Sequence, residues 1–404
     1  MSKDKKLVPE LRFPEFRNDG EWNIETVDEL CDIKNNLRQP ISSNYRQKGM
    51  YPYYGASGII DFIDDYIFDE KLLLVGEDGA KWGAYENTAF LVDGKFWVNN
   101  HAHVLKPKKI NEKLLEAYLI KLNLFPYITG AAPPKLTLGK LKAIPIPITK
   151  NSSEQQKIAD CLSSLDELIT AHTEKLQLLK DHKKGLMQNL FPQKDEKVPK
   201  FRFPEFRNEG DWEEKKIGDI AKVTAGGTPE STNPEYWNGN IPWMNSGELN
   251  NKRIYAVSNF ITEKGLKESS TKIIPKKCVL IGLAGQGKTR GTAAINYIEL
   301  CTNQSIGSIH PNTEVFDSEF LYQKIDSMYD KLRYLSAGDG GRGGLNLQII
   351  REIEIILPTM QEQQKIASTL SVLDELITAQ TEKTEQLKQH KKGLMQGLFP
   401  KIEN

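Results

Sequence analysis

Two stretches of the chain carry the same pattern of apolar and polar positions. Residues 154–192 and 362–400 both begin Glu-Gln-Gln-Lys-Ile-Ala and end Leu-Phe-Pro, and 30 of their 39 positions are identical at an offset of 208. Most of their apolar residues recur at steps of three, four or seven, which is typical of a helix with one apolar stripe. We predict that the stripes pair the two helices through Ile158, Leu162, Leu165, Ile169, Leu176 and Leu179 in the first copy and Ile366, Leu370, Leu373, Ile377 and Leu387 in the second.

Each stretch predicts one unusually long helix. Neither contains Gly or Pro in its interior until Gly185 and Gly393, and Pro192 and Pro400 stop the pattern. At 1.5 Å per residue, about 36 residues span roughly 54 Å. A helix of that length with a single apolar stripe needs a partner helix, and the other copy is the obvious partner. The alternative is two unrelated surface helices on separate domains.

A second repeat precedes each helix at a distance. Residues 8–18 and 198–208 share the pattern Arg-Phe-Pro-Glu-Phe-Arg-Asn, and each is followed by a Trp, Trp22 or Trp212. The prolines favour an extended strap, whose aromatic side chains we expect to anchor the start of a domain. The chain is therefore a tandem with four parts. These are 1–150, a domain with its strap; 151–192, a helix; 193–357, a linker, strap and second domain; and 358–404, a second helix and tail.

The blocks between strap and helix differ in sequence but share an α/β pattern. The first has strand-like runs at 71–75, 89–92 and 96–98 and a helical stretch at 111–124. The second has strand-like runs at 279–282 and 353–357 and a helical stretch at 318–335. The predicted fold class is α+β, with two α/β domains of one fold alternating with two long helices.

Composition limits the cellular compartments and the partners that the sequence predicts for this chain. Its 404 residues carry 54 basic and 54 acidic side chains, so the total charge does not point to nucleic acid. Four scattered cysteines without a CxxC pair fit a reducing compartment and predict no zinc site. The N-terminus has no signal-peptide core, and no apolar run is long enough to cross a membrane. These features predict a cytoplasmic protein without a membrane partner.

One segment imitates a nucleotide-binding motif. Residues 282–289, Gly-Leu-Ala-Gly-Gln-Gly-Lys-Thr, match the phosphate-loop pattern and follow a strand-like run. Such a loop must open a helix, but the residues that follow are rich in β-branched types. The motif match keeps a P-loop NTPase as the alternative function, and the sequence after the loop argues against it. We predict no catalytic residue and no metal ligand elsewhere.

Local basic and amide side chains favour contact with nucleic acid. Seven basic residues stand against one acidic residue between positions 264 and 290, and amides able to bond base edges lie nearby. The alternative is an ordinary set of solvated loops. The candidate DNA-binding residues are Tyr54, Lys81, Trp82, Asn99, Asn100, His101 and Lys135 in the first block and Gln286, Lys288, Thr289, Arg290, Asn303, Gln304, Arg342 and Asn346 in the second.

The whole arrangement resembles a known family. Two dissimilar domains alternate with helices that begin Glu-Gln-Gln-Lys-Ile and end Lys-Lys-Gly-Leu-Met-Gln. With the straps and Gly-Asp-Gly-Gly-Arg-Gly-Gly-Leu-Asn at 338–346, this resembles the specificity subunit of type I restriction–modification enzymes.

The resemblance implies a division of labour. Each block would be a target-recognition domain reading one half of a bipartite, asymmetric site on double-stranded DNA. The helices would pair as an antiparallel coiled coil, set the spacer and bind two methyltransferase subunits. Restriction (translocase) subunits would complete the assembly. S-adenosylmethionine, ATP and magnesium would belong to these partners, and this chain would need no cofactor. A coiled-coil scaffold without DNA is a further alternative.

Overall fold

The two repeated stretches form two helices of 39 residues each, α4 (Ser152–Leu190) and α10 (Met360–Leu398), with elements numbered in chain order. Both helices end immediately before the Phe-Pro pair, as the sequence predicts. The structure, a computed structural model, describes residues 7–193, 195–285, 287–336 and 344–402. Among them no helix combines the length and the apolar character needed to span a membrane.

Contacts divide the chain into two compact units that do not follow the two sequence repeats. The first unit comprises the chain up to Lys175 together with the chain from Gln380 onward, and the second comprises Leu176–Ala379. Each unit therefore contains one block, the first part of the helix that follows it, and the last part of the other long helix.

The block of the first unit is built on two four-stranded sheets. One has the order β2-β9-β6-β7 and is antiparallel; the other has the order β4-β3-β8-β5, in which β3 and β8 are parallel. Strands β1 and β10 form a separate antiparallel pair. The elements are β1 Asn23–Thr26, α1 Val27–Leu30, β2 Cys31–Ile33, β3 Lys48–Gly55, β4 Gly58–Ile63, β5 Phe68–Asp69, β6 Leu72–Gly76, β7 Ala89–Val92, β8 Lys95–Val98, β9 Ala102–Pro107, α2 Glu112–Lys121, α3 Leu138–Lys142 and β10 Pro145–Ile148.

The block of the second unit repeats this plan. Its sheets have the orders β12-β19-β16-β17-β14 and β15-β13-β18, and β11 pairs with β20 as β1 does with β10. The elements are β11 Glu213–Lys216, α5 Ile217–Ile220, β12 Val223–Ala225, β13 Trp237–Met244, β14 Arg253–Ile254, β15 Asn259–Ile261, α6 Glu263–Lys267, β16 Val279–Gly282, β17 Ala293–Asn296, β18 Cys301–Thr302, β19 Ile306–Ile309, α7 Ser318–Ser327, α8 Tyr329–Leu335, α9 Leu347–Arg351 and β20 Glu354–Leu357.

The predicted mixture of helix and sheet is present in both blocks. The strand-like runs form β6, β7 and β8 in the first block and β16 and β20 in the second. One prediction was wrong in detail: the helical stretch 318–335 is two helices, α7 and α8, separated at Met328, whose backbone leaves the helical range.

Each core is completed by the end of a long helix. In the first unit the ring of Phe399 lies edge-on to Trp22, with ring centroids 6.4 Å apart, and to Tyr118, at 5.3 Å. In the second unit Phe191 packs against Phe320 at 5.3 Å. The Leu-Phe-Pro segment that ends each helix is thus an apolar plug.

The straps are not fully extended. Pro14–Phe16 and Pro204–Phe206 each form a single 3₁₀ turn, since a proline suits the first position of a helical turn. The Arg that precedes each turn is bound to the start of a long helix. Arg12 donates to both carboxylate oxygens of Glu154, at 2.7 and 2.9 Å, and Arg202 donates to Glu362 in the same way, at 3.0 and 2.7 Å.

The next residue of each Glu-Gln-Gln-Lys motif binds the block. The side-chain oxygen of Gln155 accepts the backbone N–H of Asn111, the N-cap of α2, at 2.8 Å. The side-chain oxygen of Gln363 accepts the backbone N–H of Asp317, the N-cap of α7, at 2.9 Å. The motif therefore joins strap, block and long helix at one place in each unit.

The stripe residues are buried or half-buried along both helices. Polar side chains interrupt the stripe, and in the first unit the Gln380 side-chain amide donates to Nδ1 of His172 at 2.7 Å and to its carbonyl oxygen at 2.8 Å. Buried members are Ile158, Leu162, Ile366, Leu370, Leu373 and Leu387; half-buried members are Leu165, Ile169, Leu176, Leu179 and Ile377.

We expect Arg12→Met to lower the free energy of unfolding of the full chain by about 3–5 kcal/mol. The substitution leaves the Glu154 carboxylate, whose side chain is 1% exposed, without its cation. Urea unfolding measures the change. Lys157→Met is the matched control. This exposed lysine of the same motif lies 3.4 Å from exposed Glu15, so its loss should cost far less stability than the loss of Arg12. Equal losses in the two variants would contradict the importance of the buried pair.

Candidate nucleic-acid interface

Three segments meet at one end of the first block. They follow β6 (77–88), precede β9 (99–101) and precede α3 (129–137). Main-chain hydrogen bonds join them: the N–H of Glu77 donates to the carbonyl of His101 at 2.8 Å, and the N–H of Leu136 donates to the carbonyl of Glu77 at 2.7 Å. The first residue after β6 is therefore held by the other two segments.

The second block joins three segments in the same way. The N–H of Leu283, which follows β16, donates to the carbonyl of Ser305 at 2.8 Å, and the N–H of Leu345 donates to the carbonyl of Leu283 at 3.0 Å. Leu283 thus takes the place of Glu77, and Ser305 precedes β19 as His101 precedes β9. The two blocks build equivalent ends from unlike residues.

A buried carboxylate organises the end of the first block. Glu77 accepts from Arg38 Nη1 at 2.6 Å and lies 2.7 Å from Lys135 Nζ. Burial alone would raise the pKa of Glu77, but the hydrogen bonds from Arg38 and Lys135 hold that pKa below its usual value. The positive charge of Lys135 is therefore largely balanced by the Glu77 carboxylate within the protein.

Two histidines flank this carboxylate with different environments. His103 is fully buried: the Asn35 amide donates to its Nδ1 at 2.8 Å, and its Nε2 donates to the Leu136 carbonyl at 2.7 Å. Burial lowers the pKa of His103, which keeps the ring neutral. His101 is exposed and its Nδ1 is paired with Asp78.

The candidates of the first block divide by exposure. Lys81, Asn100 and His101 present exposed side chains at this end. Trp82 and Asn99 are buried, at 4% exposure each, so they serve the interior: Trp82 belongs to the core, and Asn99 accepts the N–H of His101. Tyr54 is half-buried against Phe90 and Phe96.

The phosphate-loop pattern forms a hairpin connection. Gly282 ends β16, and the described residues after it lead into β17, which is antiparallel to β16. Within the described residues 287–296, Thr289 leads into β17 and no helix begins, so this stretch has no helix N-terminus whose N–H groups could hold a phosphate. The loop instead rests on α8, since the Tyr329 hydroxyl donates to the Lys288 carbonyl at 3.1 Å and Arg333 donates to the Gly287 carbonyl.

The candidates of the second block also divide by exposure. Lys288 and Gln304 are exposed, whereas Thr289, Arg290 and Asn303 are half-buried. Asn346 is exposed but its side chain caps α9, accepting the N–H of Ile349 at 2.9 Å. Gln286 and Arg342 lie outside the described residues.

Three residues at these ends were missed by the sequence analysis. Asp78 pairs with His101, Thr228 donates to the side chain of Gln304 at 2.5 Å, and Arg333 supports the hairpin. All are distant in sequence from the residues they contact. No local motif marks them, because the fold alone brings them together.

Comparison with known proteins agrees with this arrangement. Residues 19–181 and 209–389 match the family described as the type I restriction modification DNA specificity domain. The chain belongs to this family. It is 40% identical over 149 residues to a putative type I restriction enzyme specificity subunit of Haemophilus influenzae, covering 36% of this chain and 38% of the relative.

Other members match in part or at low identity. The MjaIX specificity subunit of Methanocaldococcus jannaschii is 38% identical over 180 residues, covering 43% of this chain and 40% of the relative. The chain thus spans about two fifths of the length of these two relatives. The crystal structure of a type I restriction-modification S subunit from M. genitalium has the same fold, with a TM-score of 0.71 and 18% identity over 98% of this chain and 100% of that one.

We expect stability of the chain to fall as pH falls below about 6.5, partly because of His103. The unfolded chain takes up a proton on this ring near the ordinary pKa of 6.5, whereas the folded chain does so only at lower pH. The unfolded state then binds more protons, and the slope from one such group reaches at most about 1.4 kcal/mol per pH unit. Urea unfolding at pH 7.5, 6.5 and 5.5 measures it.

His103→Gln should have a shallower pH dependence than the parent chain. The control is Asn100→Gln, which changes an exposed side chain nearby that does not titrate and should leave the slope unchanged. An unaltered slope in His103→Gln would show that other groups cause the acid sensitivity.

Proposed function

We propose that this chain is the DNA-recognition subunit of a type I restriction–modification complex, and that each block reads one half of a bipartite target. The observation that carries the proposal is the equivalence of the two block ends. In both, the segment after a central strand is held by the same two neighbouring segments, and the exposed polar side chains differ. Two such readers in one chain suit two different half-sites on one duplex.

Lys288 and Lys81 are the exposed cations that we assign to DNA phosphates, and Asn100, His101 and Gln304 are the side chains that we assign to base edges. Phosphate contacts supply most of the affinity, and base-edge contacts supply the sequence preference. The near-neutral charge of the whole chain is compatible with this, because DNA meets only the local surface.

The long helices have a mechanical role in this proposal. We infer that they pair as an antiparallel coiled coil, which sets the spacing of the readers and binds two methyltransferase subunits. The burial of the stripe residues supports this, as does the hydrogen-bonded His172 and Gln380 pair. Polar pairs at seam positions fix the register of paired helices.

The chemistry would reside in partner subunits. Methyltransferase subunits would supply S-adenosylmethionine, and restriction subunits would supply ATP hydrolysis with magnesium. This chain would act without catalysis, alongside DNA in the cytoplasm. Among the described residues no three His, Cys, Asp or Glu side chains are grouped to hold a metal ion, and the hairpin after β16 does not suit an NTPase.

Exchanging residues 213–357 for the matching block of a relative should change one half of the methylated target and leave the other half intact. The reason is that each block carries its own loop end. Methylation mapping in cells that express the chain with its methyltransferase gives the result, with the unexchanged chain as the control. A change in both halves, or methylation without a bipartite motif, would refute the proposal.

Inserting one heptad in register into each long helix should lengthen the unspecified spacer of the target by about three base pairs. A heptad keeps the stripe continuous and adds about 10 Å, and DNA rises about 3.4 Å per base pair. The half-site sequences should stay the same. Methylation mapping tests this, with a two-residue insertion as the control, because it rotates the stripe away and should abolish activity. An active heptad variant with the original spacer would show that the helices do not set the distance.

A further inference from the structure

One aspartate occurs at the same position in both long helices. Asp166 and Asp374 are 208 residues apart, and each binds a lysine of the other helix. Asp166 Oδ1 lies 2.5 Å from Lys391 Nζ, and Asp374 Oδ1 lies 2.5 Å from Lys183 Nζ. Lys183 and Lys391 are themselves equivalent, so each unit contains one copy of the same pair.

The second oxygen of each aspartate faces a block. Asp166 Oδ2 lies 2.8 Å from Nζ of Lys113, in the first turn of α2. Asp374 Oδ2 accepts from Nη2 of Arg253, on β14, at 3.1 Å, and from the side chain of Gln323 at 2.6 Å. The cations come from non-equivalent elements, yet they reach the same place on the helix.

The surroundings make these contacts stronger than surface ion pairs. Lys113 and Arg253 have side-chain exposures of 20% and 15%. Burial would raise the pKa of Asp166, but the ammonium groups of Lys113, in an ion pair, and Lys391, in a hydrogen bond, hold that pKa below its usual value. Charges shielded from water in this way are less screened by salt and attract each other more strongly.

We propose that Asp166 and Asp374 form a joint that each recognition block must fill with a cation, and that this joint fixes the angle of the block on the helix pair. The inference rests on the proposed function, since the angle matters only if both blocks read one duplex. Two blocks of unlike sequence supply the cation from different elements. Each cation bridges a carboxylate of its own block, Glu116 for Lys113 and Glu319 for Arg253, and the aspartate of the helix. Lys113 and Arg253 are therefore positioning residues.

A rigid joint has a specific consequence for the target. If a block turns on its helix, its loops can meet the DNA at a shifted distance from the other block, while the same side chains still read the same bases. A loosened joint therefore relaxes the spacer length and leaves each half-site sequence unchanged.

The test compares Lys113→Met and Arg253→Met in the full chain, expressed with its methyltransferase, below the unfolding temperature of each variant. We expect methylation at the original spacer to fall on the order of tenfold, and sites with a spacer one base pair longer or shorter to become methylated. Lys113→Arg and Arg253→Lys retain the cation and should restore the original spacer. Where a Met variant does not fold, Lys113→Gln or Arg253→Gln replaces it.

Two controls separate the joint from general loss of stability. Asp181→Asn changes an exposed aspartate of α4 that contacts Gln177 on the same helix, and it should change nothing. Lys391→Met removes the bond between the helices and retains the block contact, so it should lower the melting temperature without altering the spacer.

The outcomes distinguish the two ideas. If the unaltered chain directs no bipartite methylation, the proposed function fails. If the unaltered chain does so and the Lys113→Met and Arg253→Met chains keep its spacer preference, whatever their melting temperatures, the joint is overturned. Spacer relaxation in Lys391→Met as large as in Lys113→Met would also overturn it, because the block contact would then have no separate role.

Discussion

The buried bidentate pair between a strap arginine and the first glutamate of a long helix is the contact on which each unit depends. It lies where strap, block and helix meet, and the following glutamine binds the N-cap of the block helix. Arg12 and Glu154 are almost fully shielded from water. Removing either one leaves the other as an unpaired buried charge, which destabilises the fold. The way in which the block is attached also explains why the same fold holds two blocks of different sequence. The block is held through backbone N–H groups and a few charges at its base, and these constrain little of its sequence.

The second constraint is that neither sequence repeat completes its own core. The first unit takes Phe399 from the end of α10, and the second takes Phe191 from the end of α4. Each plug lies among aromatic residues of a block that belongs to the other repeat. The two repeats are therefore mutually dependent for folding, although their sequences suggest two independent modules. This explains why the helix ends are conserved between the copies as closely as the helix starts: both ends enter a core.

The periodic pattern of apolar residues correctly predicted the elements whose burial follows that period. The stripe along 154–192 and the strand-like run that became β6 were readable from sequence because burial on one face repeats locally. The plug made by Phe191 was not readable, since its partners lie more than a hundred residues away. The same limit applies to single polar residues. Asn346 has the chemistry to bind a base, but its side chain caps a helix. Asn99, another candidate, is buried and accepts the N–H of His101. Residue type indicates what a side chain can bond, and only the fold decides what it meets.

These constraints determine where the chain is free to vary. The helix starts, the helix ends and the joint aspartates all have partners in a block, so their identities are fixed in both copies. The residues after β6 and β16 are held by main-chain hydrogen bonds, which every residue type except proline can make. Glu77 in one block and Leu283 in the other occupy the same position, although the first side chain is charged and the second is apolar. The backbone geometry of this segment is thus shared by the two blocks, and the ion pairs of Glu77 with Arg38 and Lys135 have no counterpart at Leu283. In this chain, two blocks of unlike sequence are joined to two near-identical helices by the same hydrogen-bonding arrangement.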